Sequence, residues 1–164
     1  MSLQLPGELA SLLDMLGYTW PAAAEDRLFE MGQAWIRFSA TIGDIVADAD
    51  AAAGAVWAQN AGQDIAAFQQ WWGSADSPAP VLTDGATAAV LTGTGLIICG
   101  AVVLALKVAV IVQLTILAIQ IAQAIAAAGP TFGASLLEIP IFQQITRELV
   151  GNLIHEAILD LADA

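Results

Sequence analysis

The chain has almost no positive charge. Arg27, Arg37, Lys107 and Arg147 are its basic residues against 16 acidic ones, and the net charge over 164 residues is -12. A chain this acidic is repelled by phosphate, which makes nucleic acid a poor partner. Charge gives it no attraction to anionic lipid heads either. Cys99 is its one cysteine, so it cannot form an internal disulfide. Cys99 lies in an apolar run with no basic neighbour to hold a thiolate, and reads as a small buried apolar residue. The one histidine, His155, excludes a two-histidine zinc helix. Thr92-Gly93-Thr94-Gly95 lacks the lysine and the third glycine of a phosphate loop, and serine-nucleophile motifs are absent. With no pairing of base and nucleophile, the chain is not expected to be an enzyme, and no catalytic residue, cofactor or metal ligand is assigned. Asp44, Asp48 and Asp50 read as a solvated face rather than a cation site. The N-terminus, Met1-Ser2-Leu3-Gln4-Leu5-Pro6-Gly7-Glu8, has no positive region ahead of an apolar one, so no cleavable secretory signal is expected.

Apolar residues, by contrast, are abundant at 58%, above the ~45–50% usual for globular chains. Their spacing is helical throughout, with neither a strand pattern nor an internal repeat. Leu9, Leu12, Leu13 and Leu16 predict a short helix over 5–17 closed by Gly17. Thr19 and Pro21 suit the start of a second helix, expected over about 22–72. Leu28, Met31, Trp35, Phe38, Ile42, Ile45, Ala49, Ala52 and Val56 alternate spacings of three and four, the signature of a packing seam. Gln59, Asn60 and Gly62 interrupt that register and predict a kink or break at 60–62. Trp71-Trp72-Gly73 and the loop Ser74-Ala75-Asp76-Ser77-Pro78-Ala79-Pro80 predict the tip of an antiparallel hairpin, with Gly73 as a left-handed helix stop. The returning arm is expected over about 82–128.

Lys107 is the one charge between Asp84 and Glu138. The apolar runs 88–106 and 108–127 on either side of it each approach the ~20 residues that span a bilayer. Thr92 to Gly95 weaken the first run, and Gln113, Gln120 and Gln123 stripe the second, which favours a helix buried in a bundle. Gly129 to Gly133 break the chain, Ser135 suits a cap for a short turn over 136–139, and Pro140 opens an amphipathic helix ending near 163. Its apolar face holds Ile141, Phe142, Ile145, Leu149, Leu153, Ile154, Ile158 and Leu161. The fold class is therefore all-α: an elongated helical bundle built on a long hairpin, with a short N-terminal helix and an amphipathic C-terminal one, in a single domain over 1–164.

Several stretches occur in a telling order: Leu5-Pro6-Gly7-Glu8-Leu9, Gly17-Tyr18-Thr19-Trp20-Pro21, Gln33-Ala34-Trp35, Val56-Trp57, Trp71-Trp72-Gly73, Leu106-Lys107-Val108-Ala109-Val110-Ile111, and 130–140 from Pro130 to Pro140. In these the chain resembles the N-terminal WXG-like domain of actinobacterial polymorphic toxins, the kind also found ahead of the mycobacterial necrotizing toxin, where it is described as channel-like. The resemblance implies a non-enzymatic trafficking module that directs a larger protein into the type VII (ESX) secretion system, with a toxin domain downstream that this chain does not contain. It implies a cytoplasmic origin and signal-independent export, with a small WXG-type helical protein or the secretion ATPase as partner. It makes Trp71, Trp72 and Gly73 a recognition tip and the seam Leu28, Met31, Trp35, Phe38, Ile42, Ile45 and Val56 the inside of the hairpin. The Tyr-x-x-x-acidic export signal of small family members is missing, since the one tyrosine is Tyr18 and position 22 is Ala22. Two other readings stay beside this one. The apolar arm makes a membrane-inserting or channel-forming domain an alternative, and apolar surface beyond what one hairpin covers makes a self-associating structural domain, such as a homodimer, another.

Overall fold

A computed structural model describes residues 2–163. Five α-helices follow one another: α1 (Gly7–Met15), α2 (Glu25–Gln59), α3 (Gln63–Trp72), α4 (Pro78–Ala126) and α5 (Ile139–Ala162), with a 3-10 helix at Ala134–Glu138 before α5. Among the described residues there is no strand. Two compact units form, one from residues 1–28 and 98–164 and the other from 29–97, and both boundaries fall inside helices, α2 and α4.

In the first unit, α4 buries one heptad stripe: Val103, Lys107, Val110, Leu114, Leu117 and Ala124. Val110, Leu114 and Leu117 join Leu13 and Leu16 of the N-terminal segment and Val150 of α5 in a core flanked by Leu5, Leu9, Tyr18, Trp20 and Phe142. Helix α1 ends in a Schellman turn. Gly17 takes φ 83°, the Gly17 N–H donates to Asp14 O, and the Tyr18 N–H reaches back to Leu13 O at 3.2 Å. The Tyr18 hydroxyl then donates to Arg147 O of α5 at 3.2 Å, beside Gly151, where any added Cβ would come within 2.6 Å of it.

Helix α2 starts at Glu25 rather than Ala22. Residues 21–24 stay irregular, and the Ala23 carbonyl in that stretch accepts a bond from Lys107 Nζ. Helix α2 stops at Gln59, and the break spans 60–62. The Asn60 amide donates to Val56 O at 2.8 Å, satisfying an end carbonyl, and Gly62 takes φ 142° ahead of α3.

The tip departs from expectation at Gly73, which is not left-handed: its φ is -80° and ψ 0°. Serine hydroxyls close α3 instead. Ser74 Oγ donates to Trp71 O at 2.7 Å and Ser77 Oγ to Trp72 O at 2.6 Å. Pro78 is then the first residue of α4, a position that suits its fixed φ and missing N–H. The returning arm therefore starts at 78 rather than 82 and ends at 126 rather than 128. After it, Gly133 takes φ 85° and Phe132 φ 52°. The Ser135 hydroxyl donates back to Ala124 O at 2.7 Å rather than capping forward.

Candidate interaction faces

In the second unit, α2 and the first turns of α4 run antiparallel and meet through glycine. A Cβ added to Gly32 would lie 2.6 Å from Gly93 O, and one added to Gly93 would lie 2.7 Å from Gly32 O. These backbones touch, and only hydrogen fits at either position. The buried positions that follow along the two helices are mostly small. Ile42 and Ala53 of α2 and Ala79 and Ala89 of α4 are buried, and Ser39, Val46 and Ala49 are half-buried.

That geometry corrects the expected seam. Two stripes with spacings of three and four share positions 28, 35, 42, 49 and 56. One adds the bulky Met31, Phe38, Ile45 and Ala52; the other adds Gly32, Ser39, Val46 and Ala53. The protein turns inward the positions that distinguish the second, burying Gly32 and Ala53 and half-burying Ser39 and Val46. Of the seven residues assigned to the seam, Ile42 is buried and Leu28 half-buried, whereas Trp35, Val56, Met31 (51% exposed), Phe38 (52%) and Ile45 (54%) face outward. The physical reason is closeness. Helices that approach through glycine and alanine gain dense contact along their whole length, and a phenylalanine at the line of approach would hold them apart. Met31, Ala34, Trp35 and Phe38 together line a shallow apolar groove of about 270 Å³, and Trp35 stacks edge-on to Phe38 with ring centroids 5.9 Å apart.

The tip carries an aromatic cluster. Phe68 lies 5.8 Å from Trp57, 6.1 Å from Trp71 and 5.9 Å from Trp72, centroid to centroid. Trp72 is half-buried and its indole N–H donates to Asp50 Oδ1 at 2.8 Å, joining α3 to α2. Trp71 is 48% exposed. The two tryptophans therefore have different surroundings: Trp72 ties the tip to the hairpin arm and Trp71 presents its ring to solvent. Gly73 is exposed beside them.

The first unit holds a site that spacing gave no sign of. Lys107 is 1% exposed, and its ammonium donates to Glu25 Oε2 at 2.7 Å, Ala23 O at 2.7 Å and Ser2 Oγ at 2.9 Å. All three donors are filled, and the Trp20 ring lies 5.8 Å from Nζ. Glu25 also accepts from the Ser2 hydroxyl and the Leu3 N–H. Burial pushes the Glu25 carboxyl up, but the bonds from Lys107, Leu3 and Ser2 outweigh it and hold the carboxyl down at about 2. The ammonium and the carboxylate meet in a buried, mutually hydrogen-bonded contact that ties α4 to the start of α2. Cys99 is half-buried rather than fully buried, with a free thiol.

Helix α5 also buries less of its apolar face than its sequence suggests. Thr146, Val150 and Ala157 are buried, whereas Ile141, Ile145, Leu149, Ile158 and Leu161 face outward.

Residues 4–149 match the family model described as the WXG100-like domain. No curated protein and no solved structure matches the chain.

Proposed function

The chain belongs to the WXG100-like domain family, helical proteins associated with type VII secretion, and from that membership we propose that it is a non-enzymatic targeting domain that carries a toxin polypeptide into the type VII (ESX) pathway by binding a helical partner. The observation that carries the reading is the bulky stripe Met31, Phe38 and Ile45, left outside a hairpin that closes on glycine and alanine. A stripe at i, i+7 and i+14 fits the apolar face of another helix. The exposed ring of Trp71 gives the tip a second anchor, and buried aromatic rings dominate such contacts. A small WXG-type protein and the secretion ATPase are the partners this reading names. Its test is export from a type VII-competent host. Replacing Trp71 with Ala, which removes a ring that faces solvent, should lower export while the melting temperature stays within a few degrees. Export unchanged in a Trp71→Ala/Phe38→Ser variant that still folds would sink the reading.

A second reading rests on α4. At 49 residues it is long and apolar enough to cross a membrane, and 22% of its most apolar window is buried. A domain that inserts this helix predicts dye leakage from liposomes at neutral or acidic pH. Background leakage at both counts against it.

A further inference from the structure

A groove of about 440 Å³ runs between α4 and α5 in the first unit. One wall is a ladder of methyl groups, Ala101, Ala105 and Ala109, spaced one helical turn apart, and Leu106 lies beside it. Leu153 lies on the opposite wall, and Glu156 and Asp160 border it. Those two carboxylates are exposed and four residues apart on α5, which places them on one helix face with Cβ atoms about 6 Å apart. Among the described residues, no cationic side chain lines the groove. Lys107, although it follows Leu106 in sequence, is buried and bonded to Glu25, Ala23 and Ser2. Arg147 lines a different groove, beside Tyr18 and Gln143.

We propose that this groove is a docking site for a cationic amphipathic helix, one that lays an alanine- and leucine-rich face on the Ala101–Ala105–Ala109 ladder and sets two Lys or Arg residues, four apart, against Glu156 and Asp160. Three features select that occupant. The ladder runs from Ala101 to Ala109, a rise of about 12 Å at 1.5 Å per residue, which matches two turns of a second helix. Its methyl side chains leave room for close approach of another backbone. The rim has a single sign of charge, with its neutralising cation missing from the groove, so complementarity requires the partner to supply it. An anionic lipid surface is repelled by the same rim, and two solvent-exposed carboxylates without a third ligand make a poor cation cage. The proposal rests on the first unit alone and does not depend on the α2 face.

The test is fluorescence anisotropy of the whole chain with a labelled synthetic helix of about 18 residues, with an Ala/Leu face and lysines four apart along its edge. Glu156→Lys/Asp160→Lys should weaken binding by about tenfold or more, since two attractive rim contacts become repulsive. Ala105→Phe, which fills the groove without touching charge, should weaken it too. Asp44→Lys/Asp48→Lys makes the same change of charge on the second unit and should leave affinity within about twofold. Circular dichroism melts establish that each variant is folded. Equal losses from the two charge-reversing pairs would mean that the peptide senses net charge alone and would overturn the proposal. So would binding indifferent to Glu156→Lys/Asp160→Lys, or no binding at a peptide concentration on the order of 100 μM.

Discussion

Lys107 uses every donor of its ammonium on the N-terminal segment and the start of α2. Removing one partner of a buried pair leaves the other charge uncompensated, so Lys107→Met should destabilise the protein by about 3 kcal/mol in urea unfolding. The double variant Glu25→Gln/Lys107→Met should cost less than the sum of the two single changes. The pair also has a pH signature. The Glu25 carboxyl lies at about 2 in the folded chain against an ordinary 4.5. A lowered carboxyl stabilises above its unfolded value and loses that contribution as pH falls through the folded one. The stability gap between wild type and Glu25→Gln should therefore be full at neutral pH, shrink below about pH 4.5 and close near pH 2. The glycines divide in the same concrete way. Gly32→Ala drives a methyl into the Gly93 carbonyl, whereas Gly43, also within α2, faces open space. Gly32→Ala should cost about 1–3 kcal/mol as an overpacking change, and Gly43→Ala should stabilise by about 0.5–1 kcal/mol through helix propensity. Urea midpoints of opposite shift check both.

At the scale of elements, the break between α2 and α3 shows how punctuation reads out of sequence. Asn60 takes the Val56 carbonyl and Gly62 turns the chain at φ 142°, the roles expected of those residue types. Gly62→Ala should cost about 1 kcal/mol or more, because an L side chain is strained there. Trp72→Phe, which removes the indole donor to Asp50, should cost about 1 kcal/mol. The seam of α2 was legible only as a pair of choices. Both stripes repeat at three and four, and the more hydrophobic one is the one left outside. What decides between them is Gly93, sixty-one positions away in sequence, meeting Gly32 backbone to backbone. Periodicity on one helix cannot carry that information, since it lies in the shape of the other. The Glu25–Lys107 pair was hidden for the same reason: a glutamate beside a helix start has a sufficient local explanation in the helix dipole, and its partner is 82 residues on. Gly73 is the reverse case, a local signal overridden by other local residues. A glycine after two tryptophans suits a left-handed stop, but the serines at 74 and 77 supply the missing donors and leave it right-handed.

At the scale of the whole molecule, one unit closes on glycine and alanine and the other on leucine and valine, and each leaves a bulky apolar stripe outside, Met31, Phe38 and Ile45 in the former, Ile141, Ile145 and Leu149 in the latter. Contiguous exposed apolar surface of that kind marks an interaction face. The all-α class and the helix order were readable in the sequence; which faces point outward was not. The most direct measurement is copurification of a Phe38→Ser/Ile45→Ser chain with a small WXG-type partner and the secretion ATPase, alongside its urea unfolding. Capture should be lost while the free energy of unfolding stays within about 0.5 kcal/mol of wild type, as for exposed positions. A chain that instead unfolds, or that captures its partner undiminished, would show that the stripe is core or idle surface and would contradict the account.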